Sequence, residues 1–240
     1  SPHRVNGFDL LDQSGLLKQI LPEMESLKGC EQPPQFHPEG DVWVHTRLML
    51  SLLPEIVSIP LVMSVLLHDI AKPATYSFDE AAQRIRFSGH EKLGAEMAEN
   101  ILTRLRFPRK EIDATVTAVA NHMAFKDVQK MRTSTLRKFL ARSTMSDELA
   151  LHRVDCASSN GDLSNYKFLH AKIEEFASEP LIPEPILTGK HLIQLGYKPG
   201  ELFKTILETV QNQQLEGTIT STDSAIAWVL NNFPIASSSK

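Results

Sequence analysis

The stretch Leu61–Pro73, LVMSVLLHDIAKP, limits the fold more than any other part of the chain. Val62, Met63, Val65, Leu66, Leu67, Ile70 and Ala71 cover every face of a helix, so the segment is expected inside a helical core. Yet it carries His68 and Asp69 side by side. An unpaired carboxylate buried there would cost several kcal/mol or take up a proton. A divalent ion removes that penalty, because it binds a neutral imidazole and an ionised carboxylate at short range. Pro73 is expected to stop the helix and so place the pair near its end, close to solvent. His68–Asp69 reads as the centre of a metal site.

The remaining sequence is helical almost throughout. Asn6–Leu21 has apolar positions at Phe8, Leu10, Leu11, Leu16, Leu17 and Ile20 and predicts one helix. A proline-bracketed loop, PPQFHPEGD, leads to a helix capped by Asp41 that carries His45. Thr75–Phe78 and Arg84–Phe87 alternate around polar residues and predict a small β-hairpin. Ser88-Gly89-His90-Glu91 reads as a capping box opening the helix of Leu93, Met97, Ile101, Leu102 and Leu105, which assigns Glu91 a structural role. Pro108 starts a helix that ends at His122. Another, from about Ser146 to Cys156, carries His152 and Asp155, and Asp162–Ala177 forms a further one. The proline-rich EPLIPEPILTG reads as a linker, so residues 1–180 are expected as one domain and 181–240 as a short C-terminal helical tail of three helices. The fold class is all-α with one hairpin.

Composition narrows the classes that remain. A content of 42% apolar and 22% charged residues in 240 belongs to a globular chain, not a disordered one. A net charge of −4 excludes a global basic field for nucleic acid, though a local patch is compatible with it. Cys30 and Cys156 make no disulfide framework and are expected as reduced, buried thiols. No apolar run reaches the roughly 20 residues that span a bilayer and no signal peptide is visible, so a cytoplasmic protein without a membrane partner is expected. The chain begins SPHRVNG without an initiating Met, as an excised piece would.

His45, His90, His122 and Asp155 join the central pair when they are weighed together; any one of these histidines alone is more often a core or surface residue than a ligand. Their order, H…HD…H…H…D on successive helices, resembles the HD-domain metal-dependent phosphohydrolases at every position. The resemblance implies an HD helical bundle in which His45, His68, Asp69 and Asp155 hold one metal, while His90 and His122 hold a second ion or the substrate phosphate. Mixed imidazole and carboxylate ligands suit Mn, Fe, Ni, Co, Zn or Mg, as one or two ions. The implied chemistry is hydrolysis of a phosphate ester or nucleotide by metal-activated water, with Asp69 and His68 at its centre. Lys72, one turn after His68, is either a phosphate contact or a solvated lysine at a helix end. His37 is placed in a loop that lines the pocket, and His152 is expected to be exposed. His3, His170 and His191 are assigned nothing, and Cys156 is not expected to act as a nucleophile.

The likeness extends further. FHPEGDVWVHT, LLHDIAKP, RIRFSGHEKLGAEMAENILTRLRFP, VANHMAF and the closing LIQLGYKPGELFKTILETVQNQQLEGTITSTDSAIAWV resemble the HD-containing C-terminal half of bacterial CCA-adding tRNA nucleotidyltransferases and related poly(A) polymerases. The Gly-Ser turn and Asp-x-Asp pair of that family's catalytic head do not occur in this sequence, so a complete nucleotidyltransferase is not expected. The resemblance implies metal-dependent phosphodiesterase or phosphatase activity, with triesters within reach of a permissive pocket. The other implication is a tRNA-binding body and tail without catalysis of its own. On that reading Lys126–Arg142, with six cationic residues against Asp127, is a phosphate track that makes binding salt-sensitive. An iron-dependent oxygenase on the same scaffold is a distant third.

Overall fold

The computed structural model describes residues 3–234. Its helices are α1 (Arg4–Gln13), α2 (Leu16–Ile20), α3 (Val42–Leu52), α4 (Ile59–Leu67), α5 (Lys72–Thr75), α6 (His90–Arg104), α7 (Arg109–Asn121), α8 (Thr133–Leu140), α9 (Met145–Ser158), α10 (Ser164–Glu175), α11 (Gly189–Gln194), α12 (Glu201–Leu215) and α13 (Thr222–Asn232). Two 3-10 segments, Pro22–Leu27 and His122–Lys130, complete the helical part. The expected hairpin is present: β1 (Tyr76–Asp79) pairs antiparallel with β2 (Arg84–Phe87), Tyr76 opposite Phe87 and Asp79 opposite Arg84. An all-α fold with one hairpin is what the apolar periodicities predicted. No helix among the described residues is long and apolar enough to cross a membrane.

The described chain divides into two units. The first joins the residues up to Val128 with Ser143–His170. At its centre α4 packs on α3, α7 and α9, and α6 packs on α7. Leu67, Val65, Met49, Leu102, Val119, Leu151 and Val154 fill the space between them, each almost fully buried. Burying one such side chain is worth about 1.5–3 kcal/mol, which explains why the HD segment sits where it does. The second unit joins Gln129–Arg142 with Ala171 onward and closes its own core over Leu192, Ile206, Val210, Ala225 and Val229. The expected division at residue 180 falls inside this unit: the Arg137 guanidinium lies 4.3 Å from the Phe176 ring and bonds the carboxylate of Glu179.

Four local expectations are corrected. Gly15, with φ of 73°, splits Asn6–Leu21 into α1 and α2, because a left-handed residue cannot continue a helix. The central helix ends at Leu67, not at Pro73. The Ile70 N–H turns back to the Leu67 carbonyl at 3.2 Å, and Pro73 instead occupies the first turn of α5, where its missing donor costs nothing. Ser88 and Glu91 form no capping box; Gly89, at φ of 81°, is the N-cap of α6 and donates no side-chain cap. Of the basic run, Arg137 is buried, bonded to Glu179 and lying over the Phe176 ring, and so is withdrawn from a phosphate track.

Candidate metal centre

Each imidazole of the site is aimed by its position in the chain. His68 caps α4 and His122 caps α7, while His90 opens α6; their Nδ1 atoms lie 3.0, 2.6 and 2.7 Å from the carbonyls of Val65, Val119 and Phe87. A carbonyl only accepts, so each Nδ1 carries the hydrogen and each Nε2 is left with its lone pair directed away from the backbone. His45, on α3, makes the same arrangement with a side chain, its Nδ1 2.6 Å from Glu39 Oε1. Asp41 starts that helix as expected, its carboxylate accepting from the Val44 N–H at 2.8 Å.

The Nε2 atoms converge on Asp69. Its Oδ2 lies 3.1 Å from His68 Nε2, and its Oδ1 lies 3.4 Å from His90 Nε2 and 3.9 Å from His122 Nε2. Asp69 therefore belongs to two sets whose donor atoms lie within 4.8 Å of one another, His45–His68–Asp69 and Asp69–His90–His122. Among the described residues Asp155 on α9 pairs with His45, its Oδ1 3.2 Å from Nε2. All these side chains are buried except that of Asp155, which is about a quarter exposed. Among the described residues, then, the HD-pattern residues lie together.

The donor chemistry fits a divalent cation. His45 Nε2 and His68 Nε2 are buried without a well-aligned hydrogen bond, despite the carboxylate oxygens near 3 Å. His90 Nε2 and His122 Nε2 face each other at 3.1 Å, two lone pairs in contact unless a proton or a metal ion stands between them. Burial, reinforced by the neighbouring His68, pushes His122 down to about 4 and keeps it neutral. For Asp69, burial is outweighed by His68 and Lys72, which hold the carboxyl well below its usual range. At His45 burial is outweighed by the carboxylates of Asp155 and Glu39, which raise it to about 9. The same contact with His45 overcomes burial at Asp155 and holds it ionised.

Around the cluster lies a cavity of about 540 Å³ lined by His37, Asp69, Lys72, His90, His122 and Asp155. The hairpin contributes Arg84, Arg86 and Phe87 to its wall, and Phe36, Met123 and Lys126 complete the mouth. His37 lines the pocket as expected. Lys72 is not a solvated lysine: it is buried, with Nζ 2.7 Å from Asp69 Oδ2 and 2.6 Å from Gln32 Oε1. His152 is buried too, stacked on Phe125 at 4.7 Å between ring centroids, because the 3-10 turn after His122 brings Phe125 under α9. Cys30 and Cys156 are free thiols, half-buried rather than buried; burial, with Asp155 beside it, pushes Cys156 up to about 12, so it is no nucleophile. The residue missed from the sequence is Glu39. Its only signal was the His37-x-Glu39 spacing ahead of His45, in a loop with no helical periodicity to rank it.

Residues 42–153 match the HD domain family. Over 237 residues the chain is 31% identical to a CC-adding tRNA nucleotidyltransferase of Thermus thermophilus, covering 96% of this chain and 53% of that protein. It is 29% identical over 240 residues to an A-adding tRNA nucleotidyltransferase of Deinococcus radiodurans, covering 95% and 55% respectively. A shorter match, 34% over 137 residues, joins 57% of the chain to 32% of a multifunctional CCA protein of Halorhodospira halophila. The chain spans about half the length of the two relatives that it matches throughout.

Proposed function

Since residues 42–153 form an HD domain, in a chain homologous over nearly its whole length to tRNA nucleotidyltransferases, we propose that this protein hydrolyses phosphate esters with a divalent metal ion held by His45, His68, Asp69 and Asp155. The observation that supports this most is the convergence of the His68, His90 and His122 Nε2 atoms, with a His45 ring nitrogen within 4.8 Å, on one buried carboxylate beside an open cavity. Single hydrogen-bonded histidines do not need such an arrangement, whereas a cation does. His90 and His122 take a second ion or a phosphate oxygen. Lys72 holds the charge of Asp69 and adds a cation to the cavity wall.

A divalent ion held by His45, His68, Asp69 and Asp155 would supply Lewis-acid polarisation of a phosphoryl oxygen and a lowered pKa for water. The protein's own groups do the rest. Nδ1–H bonds to Val65, Phe87 and Val119 fix the rings, so no reorganisation is required when ligands arrive. Arg84, Arg86 and Lys126 set a positive rim toward which an anionic ester is drawn, although Arg86 is partly neutralised by Asp79 at 2.6 Å. The cavity has room for a nucleotide-sized ester and leaves open the mono-, di- or triester class.

The test is hydrolysis of p-nitrophenyl phosphate and bis(p-nitrophenyl) phosphate by chelator-stripped protein, with Mn²⁺, Ni²⁺, Co²⁺, Zn²⁺, Fe²⁺ or Mg²⁺ restored singly. Metal-dependent turnover that disappears in Asp69→Ala supports the proposal; no turnover with any ion refutes it. One observation favours a second reading. The match to the CC-adding and A-adding enzymes runs on through the second unit, well beyond the HD domain. On that reading the chain is a tRNA-binding body, and tRNA affinity falls steeply between 50 and 200 mM salt even when no ester is cleaved.

A further inference from the structure

Glu39 lies in the irregular loop before α3 and is not part of the HD pattern. Its Oε1 lies 2.6 Å from His45 Nδ1 and 2.9 Å from His37 Nδ1. Its side chain is 8% exposed. An ionised carboxylate can only accept, so both imidazoles carry hydrogen on Nδ1, and one oxygen has the two lone pairs to take both bonds. Oε2, by contrast, is buried without a hydrogen-bond partner among the described residues. A buried carboxylate with one bare oxygen is an expensive way to stabilise a loop, so its presence calls for another reason.

That reason follows from the other rings. His68, His90 and His122 borrow backbone carbonyls to direct Nε2 inward; His45 has Glu39 in that place. His37, whose ring centroid is 5.0 Å from that of His45, stands on the cavity wall with its Nδ1 engaged by the same oxygen. We propose that Glu39 is a positioning residue that locks Nδ1–H on His45 and His37 together, presenting the His45 Nε2 lone pair to the metal ion and the His37 Nε2 lone pair to the cavity as a proton acceptor. The His45 half of this inference rests on the metal-ion reading above; the His37 half does not.

The experiment uses the full chain with ¹⁵N-labelled histidine, as wild type, Glu39→Gln and Glu39→Ala, loaded with diamagnetic Zn²⁺. Calorimetry reads Zn²⁺ affinity and long-range ¹H–¹⁵N spectra read which ring nitrogen bears hydrogen. Loss of the orienting partner should weaken Zn²⁺ binding by about 10–100-fold in Glu39→Ala. Glu39→Gln, whose amide oxygen still accepts and whose shape is unchanged, should recover most of that loss and keep the Nδ1–H form of His37. Wild-type affinity and unchanged tautomers in Glu39→Ala would overturn the proposal. So would a Glu39→Gln variant as deficient as His68→Ala, since Glu39 would then be a ligand itself. If the wild type binds no Zn²⁺, the hydrolase reading falls on its own. The His37 tautomer in Glu39→Ala then decides the positioning role: its loss supports that role and its retention overturns it.

Discussion

Lys72→Met tests whether the charge of Asp69 is balanced from within the protein. Lys72 is 7% exposed in its side chain, and its ammonium bonds Asp69 Oδ2 at 2.7 Å and Gln32 Oε1 at 2.6 Å. Methionine roughly keeps the length of the side chain, so the change removes mainly the charge, its two bonds and the cation–π contact of the ammonium 5.3 Å from the Phe87 ring centroid. Breaking a buried ion pair on one side costs about 3–5 kcal/mol, the stranded partner being the larger part. The lower end of that range is about 3 kcal/mol. With a urea m-value of about 2 kcal/mol/M, the midpoint of chelator-treated protein should fall by about 1.5 M at unchanged m. Added Mn²⁺ should restore part of the loss, because an ion on Asp69 replaces the missing cation. A fall of less than about 0.3 M would refute the reasoning and mean that the Lys72 ammonium reaches water without Asp69.

Metal-free protein should be most stable near pH 6.5. His122 has a folded pKa of about 4, below the unfolded ~6.5, so the unfolded state binds the extra proton and stability falls as pH drops from 6.5 to 4. His45 has a folded pKa of about 9, so its contribution is complete below 6.5 and is lost as pH rises to 9, each limb amounting to about 3 kcal/mol. A flat urea-midpoint profile from pH 5 to 9 would contradict this pair of assignments. Arg137→Ala should cost about 2–4 kcal/mol in thermal or urea unfolding, since the guanidinium is buried on Phe176 and bonds Glu179 and the Pro180 carbonyl. It should leave the salt dependence of any tRNA binding unchanged, and a reduced salt slope would place Arg137 on phosphate after all. Phe125→Ala removes a fully buried ring stacked on His152 and should cost about 3–5 kcal/mol. A loss under about 1 kcal/mol would mean that the stack collapses without strain.

Much of the site was legible because it depends on spacing within helices. His45, His68, Asp69, His90, His122 and Asp155 fall on or beside α3, α4, α6, α7 and α9, whose apolar periods put them at the ends of buried stripes. What escaped the reading depends on through-space partners. Lys72 looks like a helix-end lysine until Gln32, forty residues earlier, is found against it. His152 looks exposed until Phe125 folds beneath it, and Glu39 shows only its spacing from His37, because loop geometry, not periodicity, aims it at His45. The helix breaks at Gly15 and after Leu67 were decided by backbone turns, which override apolar runs that continue across them. The inclusion of Gln129–Arg142 in the second unit is a tertiary choice that a linear search for linkers cannot make.

The measurement that bears most directly on the central claim is metal content. Chelator-stripped protein is exposed to Mn²⁺ or Zn²⁺, freed of excess by gel filtration and assayed by atomic emission, beside Asp69→Ala and His68→Ala. The account predicts one or two ions per chain in the wild type and none retained in Asp69→Ala, which removes the carboxylate shared by the His45–His68–Asp69 and Asp69–His90–His122 sets. Equal retention in all three proteins, or none in the wild type, would contradict it.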